Sequence, residues 1–369
     1  MTQRTPSPRL AAAQPFADGV PVGSDHSVFS LTASPGLPTW LARHDVSLLL
    51  TTYQAGRLFA IGRSTDGGLS VFQRTMERCM GLWASPDQDE FWVATAWQLW
   101  RLANALQPGA THDGYDRVYV PRTGHTTGNL DIHDITVDED GHPVFVNTSF
   151  SCVARLSRAM SFAPIWAPPF ISALAPEDRC HLNGMAMVDG RPRFVTAVAR
   201  TDTAEGWRAH RADGGLVIDI TTNEVVASEL SMPHSPRWHN KRLWLLNAGS
   251  GEFGYLDPTT GAFVAVTFLP GFARGLCFVG NHALVGISAA RREAAFAGLR
   301  LDDELTRRRA EAVCGIAIID LSTGAITEWL RLDGAVRELY DVAVMPGAVR
   351  PMVLGFVTDE IHHLLSIEI

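Results

Sequence analysis

His133, His234 and Tyr340 are side chains able to move a proton or polarise an oxygen. Arg274 could hold a carboxylate or phosphate through two parallel hydrogen bonds, and Asn183 could anchor a polar ligand. Each of these residues opens a short apolar run. The openings are Met80-Gly81-Leu82-Trp83, His133-Asp134-Ile135-Thr136, Asn183-Gly184-Met185-Ala186, His234-Ser235-Pro236-Arg237, Arg274-Gly275-Leu276-Cys277 and Tyr340-Asp341-Val342-Ala343. Subtracting the opening numbers gives steps of 53, 50, 51, 40 and 66 residues. Polar residues at most of these equivalent places exceed what strand propensity supplies, because apolar openings would serve folding equally well.

Two chemistries suit the set. In the first, His133, His181 and His234 hold a divalent metal (zinc, iron or manganese), since three protein ligands plus an open position is the catalytic zinc pattern. Asp131 or Asp134 would then serve as carboxylates behind the ligands. There is no HExxH or paired CxxC signature. In the second, the same residues act without metal: His133 or His234 transfers a proton, Tyr340 polarises or protonates an oxygen, and Arg274 binds an anion. A plainer alternative for the histidines is a polar core closed by hydrogen bonds. For Arg274 it is an ion pair with Asp341 or Asp134, because a buried guanidinium requires some anion. Cys180 beside His181 is expected to be a buried, inert thiol, as adjacent residues of an extended segment point to opposite sides.

The elements that must position these groups are strands. Each opening is followed by a second strand rich in aromatic and branched residues, such as Phe91-Trp92-Val93-Ala94 or Leu243-Trp244-Leu245-Leu246. Turns such as Asp138-Glu139-Asp140-Gly141 separate the runs. A loose repeat near 50 residues marks an array or propeller, and the pattern predicts an all-β fold, a β-propeller. Counting a first unit at Leu37–Ala60 gives seven blades, or six if that unit is degenerate. Ser27–Leu31 is expected to close the ring as an N-terminal strand. Inner strands then begin at one channel mouth, with a first-blade member near Pro38. Loops between second and third strands add Tyr53, Gln54 and Asn147 as substrate-binding candidates beside Asn183 and Arg274, with Arg200, Asp202, Trp207, Asn247 and Arg291–Glu293 nearby. Two long loops, Ala199–Gly214 and Ser288–Val313, are expected to form a lid. Helices are expected at Leu37–Arg43 and within Glu293–Ala312. Residues 1–25 are expected to be a disordered arm and residues 26–369 one propeller domain.

The formal charge of −8 argues against nucleic-acid and membrane-surface partners, which need Lys and Arg clusters. No run approaches the roughly 20 apolar residues of a bilayer span. Five scattered cysteines without an apolar leader segment suggest reduced thiols and a cytoplasmic location. The expected function is binding, and chemical conversion, of a small polar or anionic metabolite by lyase, isomerase or hydrolase chemistry. The alternative is a noncatalytic scaffold that binds another protein through its rim and long loops.

Several longer strings carry a resemblance. Thr51-Thr52-Tyr53-Gln54-Ala55-Gly56, Asp131-Ile132-His133-Asp134, Pro168-Pro169-Phe170-Ile171-Ser172, Pro176 through Gly184, Met232 through Trp238 and Leu269 through Leu276 resemble a bacterial family of conserved hypothetical proteins, a domain of unknown function. The resemblance runs from about residue 30 to the end. It implies no substrate and no catalytic roles.

Overall fold

Second strands of the repeats carry a run of apolar residues because both faces meet a neighbouring sheet. Val46–Thr52 and Pro143–Asn147 are buried at every residue. The computed structural model describes residues 16, 20–26, 29–87, 90–289, 298–357 and 359–367. Six antiparallel blades surround one channel, and their inner strands touch in an unbroken cycle. From the channel outward, blade 1 is Asp341–Pro346, Val46–Thr52, Arg57–Arg63 and Leu69–Thr75. Blade 2 is Leu82–Ala84, Glu90–Ala94, Gln98–Asn104 and Arg117–Thr126, and blade 3 is Ile132–Val137, Pro143–Asn147, Cys152–Arg155 and Ala163–Trp166. Blade 4 is Leu182–Val188, Arg191–Ala197, Gly215–Asp219 and Glu224–Leu230. Blade 5 is Pro233–His239, Arg242–Asn247, Glu252–Leu256 and Phe263–Phe268. Blade 6 is Phe272–Val279, His282–Ser288, Cys314–Asp320 and Ile326–Gly334.

The count of seven is corrected to the alternative, six. The first and last sequence units are parts of a single blade: Asp341–Pro346 pairs with Val46–Thr52, from Asp341 opposite Thr51 to Pro346 opposite Val46. The ring is therefore closed by three N-terminal strands around a C-terminal inner strand, not by Ser27–Leu31. Phe29–Ala33 instead extends the outer edge of blade 6, with Phe29 opposite Gly334. Val20–His26 pairs beyond it, so this part of the expected arm is a strand. Phe16 packs on Trp329; residues 1–15, 17–19 and 27–28 lie outside the described residues. Pro351–Val353 runs parallel to Arg117–Tyr119 on the outer edge of blade 2 and is not the second strand of a blade. The chain ends thus cover the outer edges on either side of the blade they close, where unpaired strands would invite association.

A two-way alternation holds the inner strands together. The residue after each ring position reads, around the channel from blade 1, Asp341, Gly81, Asp134, Gly184, Ser235 and Gly275. Each oxygen-bearing member accepts an N–H from the next blade: Leu82 N to Asp341 Oδ2 at 2.9 Å, Met185 N to Asp134 Oδ2 at 2.9 Å, and Gly275 N to Ser235 Oγ at 3.0 Å. Each glycine lets the following blade close in. A Cβ at Gly275 would lie 2.7 Å from Asp341 Cα, and one at Gly81 would lie 3.1 Å from Asp134 Cα.

The helix Leu37–His44 forms as expected and buries Leu37, Trp40 and Leu41 in the cluster shared by blades 1 and 6. Pro38 sits in its first turn, so the ring has no member there. Within the second long loop a helix spans Arg300–Arg308; residues 290–297, with Arg291–Glu293, lie outside the described residues.

Candidate functional site

Four of the six ring residues are placed by one local device. Two positions before the ring residue, Arg78, Asp131, His181 and Met232 have φ of 47°, 51°, 49° and 45°. Such left-handed backbone is uncommon outside glycine and gathers at functional sites. It turns the chain into the channel, and the inner strand then bulges. In blade 3 Ile132 pairs with Asn147 and Asp134 with Val146, which leaves His133 as the extra residue. In blade 4 Leu182 pairs with Ala197 and Gly184 with Thr196, which leaves Asn183. A bulge re-aims the unpaired side chain; here it turns His133 toward His181 and Tyr340, while the Asn183 side chain meets Thr196 of its own blade.

The result is a continuous polar and aromatic ring. The His133 and His181 rings meet edge to face at 4.8 Å, and His133 meets Tyr340 at 5.4 Å. Tyr340 stacks with Tyr53 at 6.0 Å, and the Arg274 Cζ lies 5.0 Å from the Tyr340 ring. Phe272 links Arg274 at 5.0 Å to His234 at 5.4 Å. The imidazoles of blades 3 and 5 thus belong to the same mouth. The long loop Ala199–Gly214 reaches it through Trp207, 4.2 Å from His181. Leu299, Leu301 and Leu305 of the second loop share an apolar cluster with Trp207 and Phe272. Both long loops therefore meet over one side of the ring.

Hydrogen-bond partners assign the imidazole tautomers. His133 Nδ1 lies 2.9 Å from the Asp131 carbonyl and 2.9 Å from Thr148 Oγ1, whose own proton goes to the Leu182 carbonyl at 2.6 Å. His181 Nδ1 meets Asp178 Oδ2 at 2.8 Å, and that oxygen also accepts from Trp207 Nε1 at 2.8 Å. His234 Nδ1 meets the Met232 carbonyl at 2.8 Å. All these partners are acceptors, so each Nδ1 carries a proton, and burial keeps the His133 and His234 rings neutral, leaving a lone pair on Nε2 of each. Burial pushes His133 down to about 4, reinforced by His181 and Arg274 against the Asp131 carboxylate. Burial and then Arg274 hold His234 well below its ordinary value. Burial raises the Tyr340 phenol well above its usual range, so it stays protonated.

Four buried polar atoms of the candidate residues have no hydrogen-bond partner among the described residues: His234 Nε2, Tyr340 Oη, Asn183 Nδ2 and Asn147 Nδ2. Asn183 Oδ1 accepts from Thr196 Oγ1 at 2.7 Å, which leaves its amide nitrogen as the donor. Asn147 Oδ1 accepts from Phe150 N at 3.1 Å. Tyr53 Oη accepts from Arg78 Nη2 at 3.0 Å. Gln54 is exposed and makes no hydrogen bond among the described residues. Asp202 and Asn247 serve the framework: Asp202 accepts from Arg179 at 2.7 Å, and Asn247 accepts from Ser231 N at 2.7 Å. Cys180 is fully buried and its thiol is pushed up to about 12. Two groups of possible metal ligands have ligand atoms within 4.8 Å of one another among the described residues, His112/Asp113/Glu360 and Asp138/Asp140/His142; both are away from the ring histidines.

The anion for the channel is not matched as expected. Asp134 and Asp341 serve Arg237, not Arg274. Arg237 Nη1 and Nη2 donate to Asp134 Oδ2 at 2.7 Å and Oδ1 at 3.0 Å, and Nε donates to the Leu276 carbonyl at 3.1 Å. Asp341 lies in the same field, raised to about 7 by burial, with Arg237 opposing and Asp134 reinforcing. Residue-by-residue reading missed Arg237, Arg78, Thr148 and Asp178. The signal available for Arg78 was its place two residues ahead of a repeat opening, the place that Asp131 and His181 also hold.

Fold and ring define a six-bladed β-propeller with a polar site at one mouth of its channel. The chain belongs to the family described as Domain of unknown function (DUF4915), whose model matches residues 35–354. No curated protein matches it in sequence. Among solved structures, a chain from a nidogen/laminin complex is similar at 10% identity and a TM-score of 0.52, covering 82% of this chain and 99% of that one. This likeness concerns the fold. A catalytically inactive virginiamycin B lyase from Staphylococcus aureus, in complex with quinupristin, matches at 13% identity and a TM-score of 0.40, again covering 82% of this chain and 99% of that one. Among the described residues no helix is long and apolar enough to cross a membrane.

Proposed function

We propose that the channel mouth binds, and chemically converts, a small polar metabolite, anionic ones included. The observation that carries this reading is the set of buried polar atoms without partners, contributed by two inner strands, the residue that precedes a third, and one second strand. Buried polar groups are nearly always hydrogen-bonded, and leaving one unmet costs about 1–3 kcal/mol. Four such atoms around one ring point to groups matched by something that enters. Neutral His133 and His234 are proton acceptors, and the protonated Tyr340 phenol is the donor that complements them, as lyase, isomerase or hydrolase chemistry requires. Arg274 contributes positive charge at the same place.

A second reading, a divalent metal held by His133, His181 and His234, would need these rings to draw together, because their ligand atoms do not all lie within 4.8 Å of one another. The bond from His181 to Asp178 is the carboxylate support such ligands use. Metal content of the purified protein, compared with that of the His133→Ala variant, decides it: stoichiometric zinc, iron or manganese lost in the variant establishes the site. For the main reading, a metabolite screen by thermal shift and turnover is run on the native protein and on His133→Ala and His234→Ala. A hit that both variants lose is expected. Binding and turnover unchanged in both variants would overturn the reading, and a protein partner that survives both would favour a scaffold.

A further inference from the structure

Resting on the binding reading above, we infer that the ligand is a polyhydroxylated compound bearing an acceptor oxygen, such as a sugar acid, whose hydroxyls donate to Nε2 of His133 and His234. The inference follows from the direction of the hydrogen bonds left to be made. The imidazoles of His133 and His234 spend their proton on Nδ1, toward Asp131 and Thr148, and toward Met232. Each therefore presents a lone pair at Nε2. A bare carboxylate or sulfate has only lone pairs of its own to offer, so it cannot satisfy these nitrogens. Tyr340 Oη, with its proton, and the amide nitrogens of Asn183 and Asn147 demand the opposite, an acceptor. His234, Asn183 and Tyr340 are exposed by only 3%, 3% and 4%, so solvent does little to satisfy them.

A ligand must therefore carry donors and acceptors side by side. Hydroxyl groups do both, each with one proton and two lone pairs. An ammonium would also donate, but Arg274 lies close enough to depress the proton affinity of His133 and His234, and it opposes a second cation in the ring. The surroundings are aromatic: Trp207 lies against His181, Arg274 against Phe272 and Tyr340, and Tyr53 against Tyr340. A few aimed polar groups among aromatic side chains is the usual make-up of a small-molecule site.

The test uses full-length protein labelled with 15N at histidine. Without ligand, His133 and His234, assigned by His→Gln variants, should each show a protonated Nδ1 and a bare Nε2; a protonated Nε2 on either of them overturns the inference. Matched pairs are then titrated: gluconate against hexanoate, galacturonate against cyclohexanecarboxylate, and glycerate against propanoate, with inorganic phosphate and zinc alone. A hydroxylated member should shift the Nε2 signals and bind about tenfold or more tighter than its deoxygenated partner, since a site built for a hydroxyl rejects the analogue lacking it. Equal binding by a deoxygenated acid or by phosphate would sink the hydroxyl class while leaving the pocket standing. Shifts with zinc alone would move the site to the metal reading. No shift with any probe would defeat both the class and the pocket.

Discussion

Arg237 of blade 5 grips Asp134 of blade 3 through two parallel hydrogen bonds of 2.7 and 3.0 Å across the channel. The pair lies beneath the ring, one residue further along the blade 3 strand than His133, and it crosses past blade 4. Met185 N and the Met185 carbonyl of that blade bind Asp134 and Arg237 respectively. One ion pair thus ties three inner strands to each other and sets the floor of the site.

Removing one partner of a buried pair strands the other's charge. Asp134→Leu or Arg237→Met alone is expected to lower the unfolding free energy by about 3–5 kcal/mol. The double variant should lose clearly less than the sum of the two. Urea denaturation of the four proteins in a double-mutant cycle measures this coupling.

Acid–base linkage should be visible at Asp341. Burial raises it to about 7, against about 3.9 in an unfolded chain. Between those values the folded protein holds a proton that the unfolded chain has released, so its stability contribution falls as pH rises. The Asp341→Asn variant should therefore gain on the native protein as pH goes from about 4 to about 7 and run parallel to it outside that window. His133, pushed down to about 4 from about 6.5, works in the other direction. Its contribution is present above about 6.5 and is lost as pH falls toward 4, so His133→Gln should gain on the native protein over that descent. Denaturation midpoints across the pH range read both signs.

Tyr340→Phe removes a buried hydroxyl that has no partner among the described residues and keeps the ring contacts with His133 and Tyr53. Stability should hold or rise by about 1 kcal/mol, while affinity for the ligand falls. A rise in melting temperature together with undiminished binding would place the hydroxyl outside the recognition set.

Close approach between blades can be separated from backbone strain with two glycines. Gly275 has φ +75° and would bring a Cβ to 2.7 Å from Asp341 Cα, whereas Gly67 has φ +86° with nothing within 4 Å. Gly67→Ala should cost about 1 kcal/mol, the left-handed penalty alone. Gly275→Ala should cost about 2–4 kcal/mol, because backbone must also move. Equal losses would show that the inner strands yield freely.

Much of the site was legible in the sequence because a propeller repeats its geometry. Met80, His133, Asn183, His234, Arg274 and Tyr340 open their strands at one position of the unit, so aligning units was enough to bring them to one mouth. Blade number was harder: the stretches at 46–75 and 340–346 each look like a unit, and only strand pairing shows that they share a sheet. Arg237 was invisible for a related reason. Its partner lies 103 residues away, and within its own segment it is one basic residue on a strand. The tautomers were out of reach altogether, since they depend on carbonyls turned by left-handed residues, which sequence spacing does not encode.

Blade 1 takes its innermost strand from one end of the chain and its other three from the opposite end. Tyr340 stands directly before that last-made strand, so a ribosome must deliver the chain through residue 346 before the wheel can shut and, on the proposed reading, before a guest can be recognised. Products stopped short of residue 340 would be blind as well as open-sided, and capture on an immobilised ligand would sort finished molecules from incomplete ones.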